Sequence, residues 1–147
     1  MQIDKAEIAR RIPHSGAMNL LDSVIDWSVE SIRCRALTHR DTNNPLRVNG
    51  TLYTISGVEY ASQAMAVHGT LCGSVAGRPR AGYLASLRDV VCHRATLDGD
   101  DEELTVFAES LMGDETRVMY AFSISAGEVK IITGRATVVL DISNLAL

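Results

Sequence analysis

Glu59 is the residue whose place in the sequence asks for a chemical explanation. It stands two positions after Gly57 in the run GVEYASQAMAVHG, which otherwise reads as a helix made for the interior. A carboxylate in the first turn of a buried helix can supply one proton-transfer group. Apolar surroundings would disfavour its charge, and the helix N-terminus would favour it. Gln63 follows at i+4, so it shares that face and can orient the carboxylate. A backbone N–H at Gly57 or Val58, ahead of the first helical hydrogen bonds, can polarise a carbonyl. A purely structural role fits the same residues: an acid near a helix N-terminus is often only a dipole partner.

Other chemistries find less support. The sequence has four histidines and three cysteines. No pair has the spacing HxxxH or CxxC, so no metal site is expected. There is no GxSxG, and Cys34, Cys72 and Cys92 sit in apolar or alternating stretches that suit buried thiols. His14 follows a proline and reads as a packing or capping residue. His68, nine residues beyond Glu59, faces away from it and belongs to the core or an interface. His93, beside Arg94 on an expected strand, reads as solvated. Arg40, Arg47, Arg78 and Arg80 fall on expected loops, where solvation is the default.

The elements that must position Glu59 follow from periodicity. DKAEIARRIP makes a short helix, with Asp4 as N-cap and Pro13 closing it. MNLLDSVIDWS reads as a strand. SIRCRALTHR reads as another, because Ile32, Cys34 and Ala36 alternate with Arg33 and Arg35. DTNNPLRVNGT is turn chemistry. The central helix is expected from about Ser56 to about Cys72, and GSVAGRPRAG forms the loop after it. About four strands then follow, separated by short turns. Ile132, Gly134, Ala136, Val138 and Leu140 share one side of the last strand. Short turns between consecutive strands predict an antiparallel meander. A helix apolar nearly all round must be covered on most sides, which a single curved sheet can do. The expected class is α+β, in one domain over 1–147.

Composition agrees. Of 147 residues, 46% are hydrophobic and 22% charged, as in an ordinary globular domain. The net charge is −4 and no basic run occurs, so neither nucleic acid nor a membrane surface is an expected partner. No stretch approaches a transmembrane span, the opening residues lack a signal-peptide core, and the odd cysteine count suits reduced thiols. The expected location is the cytoplasm.

Three stretches resemble the bacterial 3-hydroxyacyl-[acyl-carrier-protein] dehydratases. IPHSGAMNLLDSVIDW is similar to their opening Pro-His segment. GVEYASQAMA is similar to the helix that carries their catalytic acid and a Gln four residues later. GYLASLRDVVCHRATLDGD is similar to the strand and turn after it. Together they run from Ile12 to about Gly99. The likeness is strongest to a divergent branch found with aryl polyene biosynthesis, through HRDTNNPLR and GVEYASQAMAVHG.

That resemblance implies a hotdog fold, a curved antiparallel sheet wrapped around one long helix. It implies Glu59 as the catalytic acid, and a Gly57 or Val58 N–H on the thioester carbonyl of the substrate, with Gln63 alongside. It implies elimination of water from a 3-hydroxyacyl chain, a reaction that needs no cofactor. The partner would be an acyl carrier protein with its phosphopantetheine-linked chain, which Arg40, Arg47, Arg78 or Arg80 can meet. Two hotdogs would pair, either as two copies or with a different hotdog subunit, each site drawing its acid and base from different subunits. The sequence departs from the family in one respect. The family's His-x-Pro-Gly loop is missing from PLRVNGTLYTIS, which is also shorter. His39, twenty residues before Glu59 where a strand gives way to a turn, is the candidate base in its place; otherwise it is an exposed loop histidine. The missing loop also motivates a non-catalytic subunit that pairs with an active dehydratase. An acyl thioesterase is the third reading, since a helix-borne acid can activate water.

Overall fold

The computed structural model describes residues 3–12, 16–75, 82–98, 102–114 and 116–140. Its framework is one seven-stranded antiparallel sheet and one long helix. A two-residue strand β1 (Ile3–Asp4) leads into helix α1 (Lys5–Arg11). Asp4 caps that helix as expected, its carboxylate accepting the Glu7 N–H at 2.9 Å. Strands β2 (Ser23–Trp27) and β3 (Ser31–Ala36) follow. The long helix α2 spans Gly57–Val75, and β4 (Gly82–Cys92), β5 (Leu104–Gly113), β6 (Arg117–Ala126) and β7 (Val129–Leu140) complete the sheet. The strand order is β1-β2-β3-β5-β6-β7-β4, so α2 carries the chain from β3 to the far edge.

Alternation decides which face packs on the helix. In β3, Ile32, Cys34 and Ala36 are fully buried while Arg33 is exposed. In β7, Ile132, Gly134, Ala136 and Val138 face inward as expected; the Leu140 side chain is outside the described residues. Register shifts in β2–β3, β5–β6 and β4–β7 mark bulges, which bend a sheet around its contents. Close approach of helix and sheet depends on Gly57: a Cβ there would lie 2.9 Å from Ile124 Cδ1 and 3.1 Å from Ile132 Cγ2.

Two expectations change. MNLLDSVIDWS is a strand only from Ser23; Gly16–Met18 form a 3-10 turn and the next residues run as an extended strap across α2. The strand expected to reach Leu97 ends at Cys92. Beyond it, Thr54 N–H donates to the Ala95 carbonyl at 3.0 Å and Leu97 N–H to the Leu52 carbonyl at 2.9 Å, stitching this segment to the approach of α2. The turn that brings the chain there is Asn49-Gly50, with φ of 50° and 81°. Both central residues take positive φ, which Asn-Gly adopts readily in tight two-residue turns, and Val48 and Thr51 exchange both backbone hydrogen bonds.

Candidate functional site

The sheet leaves one strip of α2 incompletely covered. Glu59, Ser62, Ala66 and Gly69 recur at helical spacing and are half-buried, whereas Tyr60, Ala61, Gln63, Ala64 and Val67 are buried. Glu59 is therefore the acid on the accessible strip of an otherwise interior helix. Further along, Met65, Ala66, Gly69 and Cys72 line a mainly apolar cavity of about 190 Å³ with Val29 and Val118. Glu59 and Ala66 are seven residues apart, about 10 Å along the axis.

Gln63 grips the strap and Glu59 together. Its Oε1 accepts the Leu20 N–H at 3.0 Å, and its Nε2 donates to the Met18 carbonyl at 2.7 Å. The same Nε2 lies 3.4 Å from Glu59 Oε1, a long donor contact that orients the carboxylate. Because Leu20 offers a donor and Met18 an acceptor, the amide can point only one way. The strap is held elsewhere too. Lys5 Nζ donates to the carbonyls of Asn19 and Leu21 at 2.8 and 3.2 Å, and the Leu37 N–H donates to Asp22 Oδ2 at 2.6 Å.

The remaining expected residues divide. The Gly57 N–H donates back to the Thr54–Ile55 turn that runs into α2, so it is not available to a substrate carbonyl. The reason is local: the 3-10 turn Thr54–Ser56 continues directly into the helix and uses donors that an abrupt start would leave free. Val58 is half-buried at the helix start. His39 is 0% exposed, and its Nε2 lies 2.8 Å from the carbonyl oxygen of Glu102. A carbonyl only accepts, so Nε2 keeps its proton. A second subunit can only remove surface, so in this conformation His39 cannot touch a substrate. Nor is His39 the exposed loop histidine of the alternative reading, because the turn that follows β3 tucks the ring inward.

His68 is core, as its position opposite Glu59 suggested. Its Nδ1 lies 2.7 Å from Tyr120 Oη and its Nε2 2.8 Å from the Ser28 carbonyl. Burial lowers its pKa, which the Ser28 bond opposes. His93 is exposed. His14, Arg78 and Arg80 are outside the described residues. Cys34 is buried, its thiol pushed up to about 12 by burial and then by the Asp26 charge. Cys92, expected inside, is exposed on the outer strand. Arg40 is exposed, but Arg47 is no loose loop arginine: it donates to the carbonyls of Asp41, Gly50 and His39 and pairs with Asp98 at 2.6 Å. Among the described residues no three metal-ligating side chains gather.

One group escaped the sequence reading. Thr38, Asn44 and Tyr60 form a hydrogen-bonded cluster against Leu20. The available signal was the tyrosine beside Glu59, a phenol that must find a partner once its helix is buried.

A single curved antiparallel sheet around one helix, with an acid near the helix start, defines a hotdog domain of the kind found in dehydratases and thioesterases. Within that class the chain belongs to the ApeP-like family, described as ApeP dehydratase, which matches residues 6–145. A chain of the dehydratase heterocomplex ApeI:P from Xenorhabdus doucetiae superposes with a TM-score of 0.81 and 25% identity, over 93% of this chain and 92% of that one. The zebra fish thioesterase superfamily member 2 aligns at 0.64 and 14% identity, over 93% and 95%. A thioesterase-type protein from a Silicibacter species aligns at 0.66 and 14%, over 95% and 92%. These last two share the fold. No curated protein gives a sequence match. No described helix is long and apolar enough to cross a membrane.

Proposed function

We propose that this chain carries the proton-transferring carboxylate of a 3-hydroxyacyl thioester dehydratase. The substrate is an acyl chain held by the phosphopantetheine arm of a carrier protein. The observation that carries the reading is Glu59 on the one accessible strip of α2, oriented by Gln63, in a chain of the ApeP-like dehydratase family. Elimination breaks the α-carbon–hydrogen bond, and its electron pair forms the double bond. The β-hydroxyl leaves as water after receiving a proton. Glu59 serves the hydroxyl, the Val58 end of the helix faces the thioester, and the apolar cavity beyond Ala66 receives part of the acyl chain.

The second proton-transfer group lies outside the His39 pocket. Two sources remain. One is His14, which precedes the Gln63-held Met18 by four positions. Four residues span at most about 14 Å. The other is a histidine of a second hotdog subunit, a reading supported by the likeness to the ApeI:P heterocomplex.

The test incubates the protein, alone and with a coexpressed hotdog partner, with a 3-hydroxyacyl carrier protein and follows the product by mass. Loss of water is expected; release of free acid would mean a thioesterase. Glu59→Gln keeps the shape and the contact with Gln63 but cannot exchange protons. It should lower the rate on the order of 10²–10⁴-fold with an unchanged melting curve. Full activity in that variant would remove Glu59 from the chemistry. His14→Ala separates the two sources of imidazole: inactivity of the folded variant points to this chain, full activity to the partner.

A further inference from the structure

We propose that Thr38, Tyr60 and Asn44 are positioning residues for Glu59, acting through the backbone of Leu20 and the amide of Gln63. The proposal rests on the dehydratase reading of Glu59 and adds residues that this reading does not use.

The direction of every hydrogen bond in the cluster is fixed by chemistry. Asn44 Nδ2 only donates, to Tyr60 Oη at 3.0 Å and to the Thr38 carbonyl at 2.9 Å. The Leu20 carbonyl only accepts, from Thr38 Oγ1 at 2.7 Å. The Thr38 proton is thus committed to Leu20, and at the 2.8 Å contact between the hydroxyls Tyr60 must be the donor. The order is Asn44 to Tyr60 to Thr38 to the Leu20 carbonyl. The other end of Asn44 is fixed as well, because its Oδ1 accepts the Leu46 N–H at 2.9 Å.

Leu20 is gripped on both sides. Its carbonyl is held by Thr38, and its N–H by Gln63 Oε1. The second contact locks the amide so that Nε2 faces Glu59 Oε1. Every donor has one acceptor, and no hydroxyl has a second orientation that would satisfy all of its neighbours. Tyr60 is fully buried and Asn44 nearly so, which excludes water as a competing partner. Burial raises the Tyr60 phenol above its ordinary pKa, while its bonds to Thr38 and Asn44 oppose the shift.

Thr38 and Asn44 stand on the turn after β3, which also carries the buried His39 and leads on towards α2. That turn therefore contributes to the site through alignment of the strap rather than by contact with substrate. A misplacement of about 1 Å at such a distance can cost about 10²-fold in rate.

The test uses Tyr60→Phe, Thr38→Val and Thr38→Ser in the protein assembled with whatever partner supports turnover. Two readouts separate positioning from mere folding. The first is kinetic: Thr38→Val and Tyr60→Phe should lower kcat about 10-fold or more with KM unchanged, and Thr38→Ser, which keeps the hydroxyl, should restore it. The second is the carbon NMR signal of the Glu59 carboxylate with the Gln63 side-chain amide signals. These should move in Thr38→Val and return in Thr38→Ser. If Tyr60→Phe fails to fold, the two Thr38 variants decide alone. Unchanged Glu59 and Gln63 signals in a folded Thr38→Val would overturn the proposal, as would unchanged kcat while Glu59→Gln is inactive. Signals that move as expected while Glu59→Gln keeps full activity would uphold the alignment and overturn the dehydratase reading instead.

Discussion

At the scale of single residues, the site was legible where spacing carries the information. Glu59 and Gln63 stand one turn apart on a helix, and helical geometry alone brings them to one face. His39 was not legible in this way. A residue where strand becomes turn can point in or out, and only tertiary packing sends its ring beneath Glu102. Thr38 and Asn44 are ordinary turn residues in sequence, and nothing local says that their polar groups converge on Tyr60. The buried position of His39 makes a sharp prediction. In His39→Ala the Glu102 carbonyl loses its ring donor and a void replaces the imidazole, so stability should fall by about 1–3 kcal/mol. Turnover of the folded fraction, measured well below the melting temperature, should stay within a few-fold of the parent. A loss as deep as that of Glu59→Gln, with the fold intact, would return His39 to the role of base and require the turn to open during catalysis.

At the scale of elements, alternation in β3 and β7 and the apolar circumference of α2 were enough to predict the layers. Boundaries were weaker. Asn19, Leu20 and Leu21 look like the start of a strand, yet all three are buried in succession, which an alternating strand does not do. They are the strap, pinned by Lys5, Gln63 and Thr38, and the pinning partners are distant in sequence. The opposite face of α2 is pinned by His68. Its Nε2–H donates to Ser28 and its Nδ1 receives the Tyr120 hydroxyl, an arrangement that needs the neutral ring. Burial lowers the His68 pKa below the ordinary 6.5. The unfolded chain therefore binds this proton more readily than the folded one, and stability rises with pH across the interval between the two pKa values. The full contribution is present above the unfolded value and is lost as pH falls through the folded value. Melting followed from about pH 7 to about pH 5 should show a declining midpoint, with a shallower slope in His68→Gln. An identical slope in that variant would place the acid sensitivity elsewhere.

At the scale of the whole molecule, the question is what covers the open edge of the sheet. The strand order leaves β4 on one side and the two-residue β1 on the other, so β4 is the edge long enough to pair. It carries neither proline nor lysine, two of the usual guards of a free edge; Arg88, Asp89 and two register shifts interrupt it in the middle, and it exposes Leu84 at 41%, Leu87 at 40% and Val91 at 48%. An exposed apolar edge of that kind is a template on which another strand can add. The likeness to the ApeI:P heterocomplex supports a different hotdog subunit as the occupant, and a second copy of this chain is the competing outcome. The proposed chemistry is compatible with that answer, since a partner's histidine is one of the two sources proposed for the second proton-transfer group. Sedimentation of the chain coexpressed with a hotdog partner should show a one-to-one assembly. Leu84→Lys combined with Leu87→Lys should dissociate it while leaving the melting temperature of the separate chain nearly unchanged, since both side chains are already exposed there. If the partner supplies the imidazole, turnover should vanish together with the assembly and return when excess partner drives it back. A monomer that retains full turnover after the double substitution would show that the site is complete within one chain, and would make His14 the group to pursue.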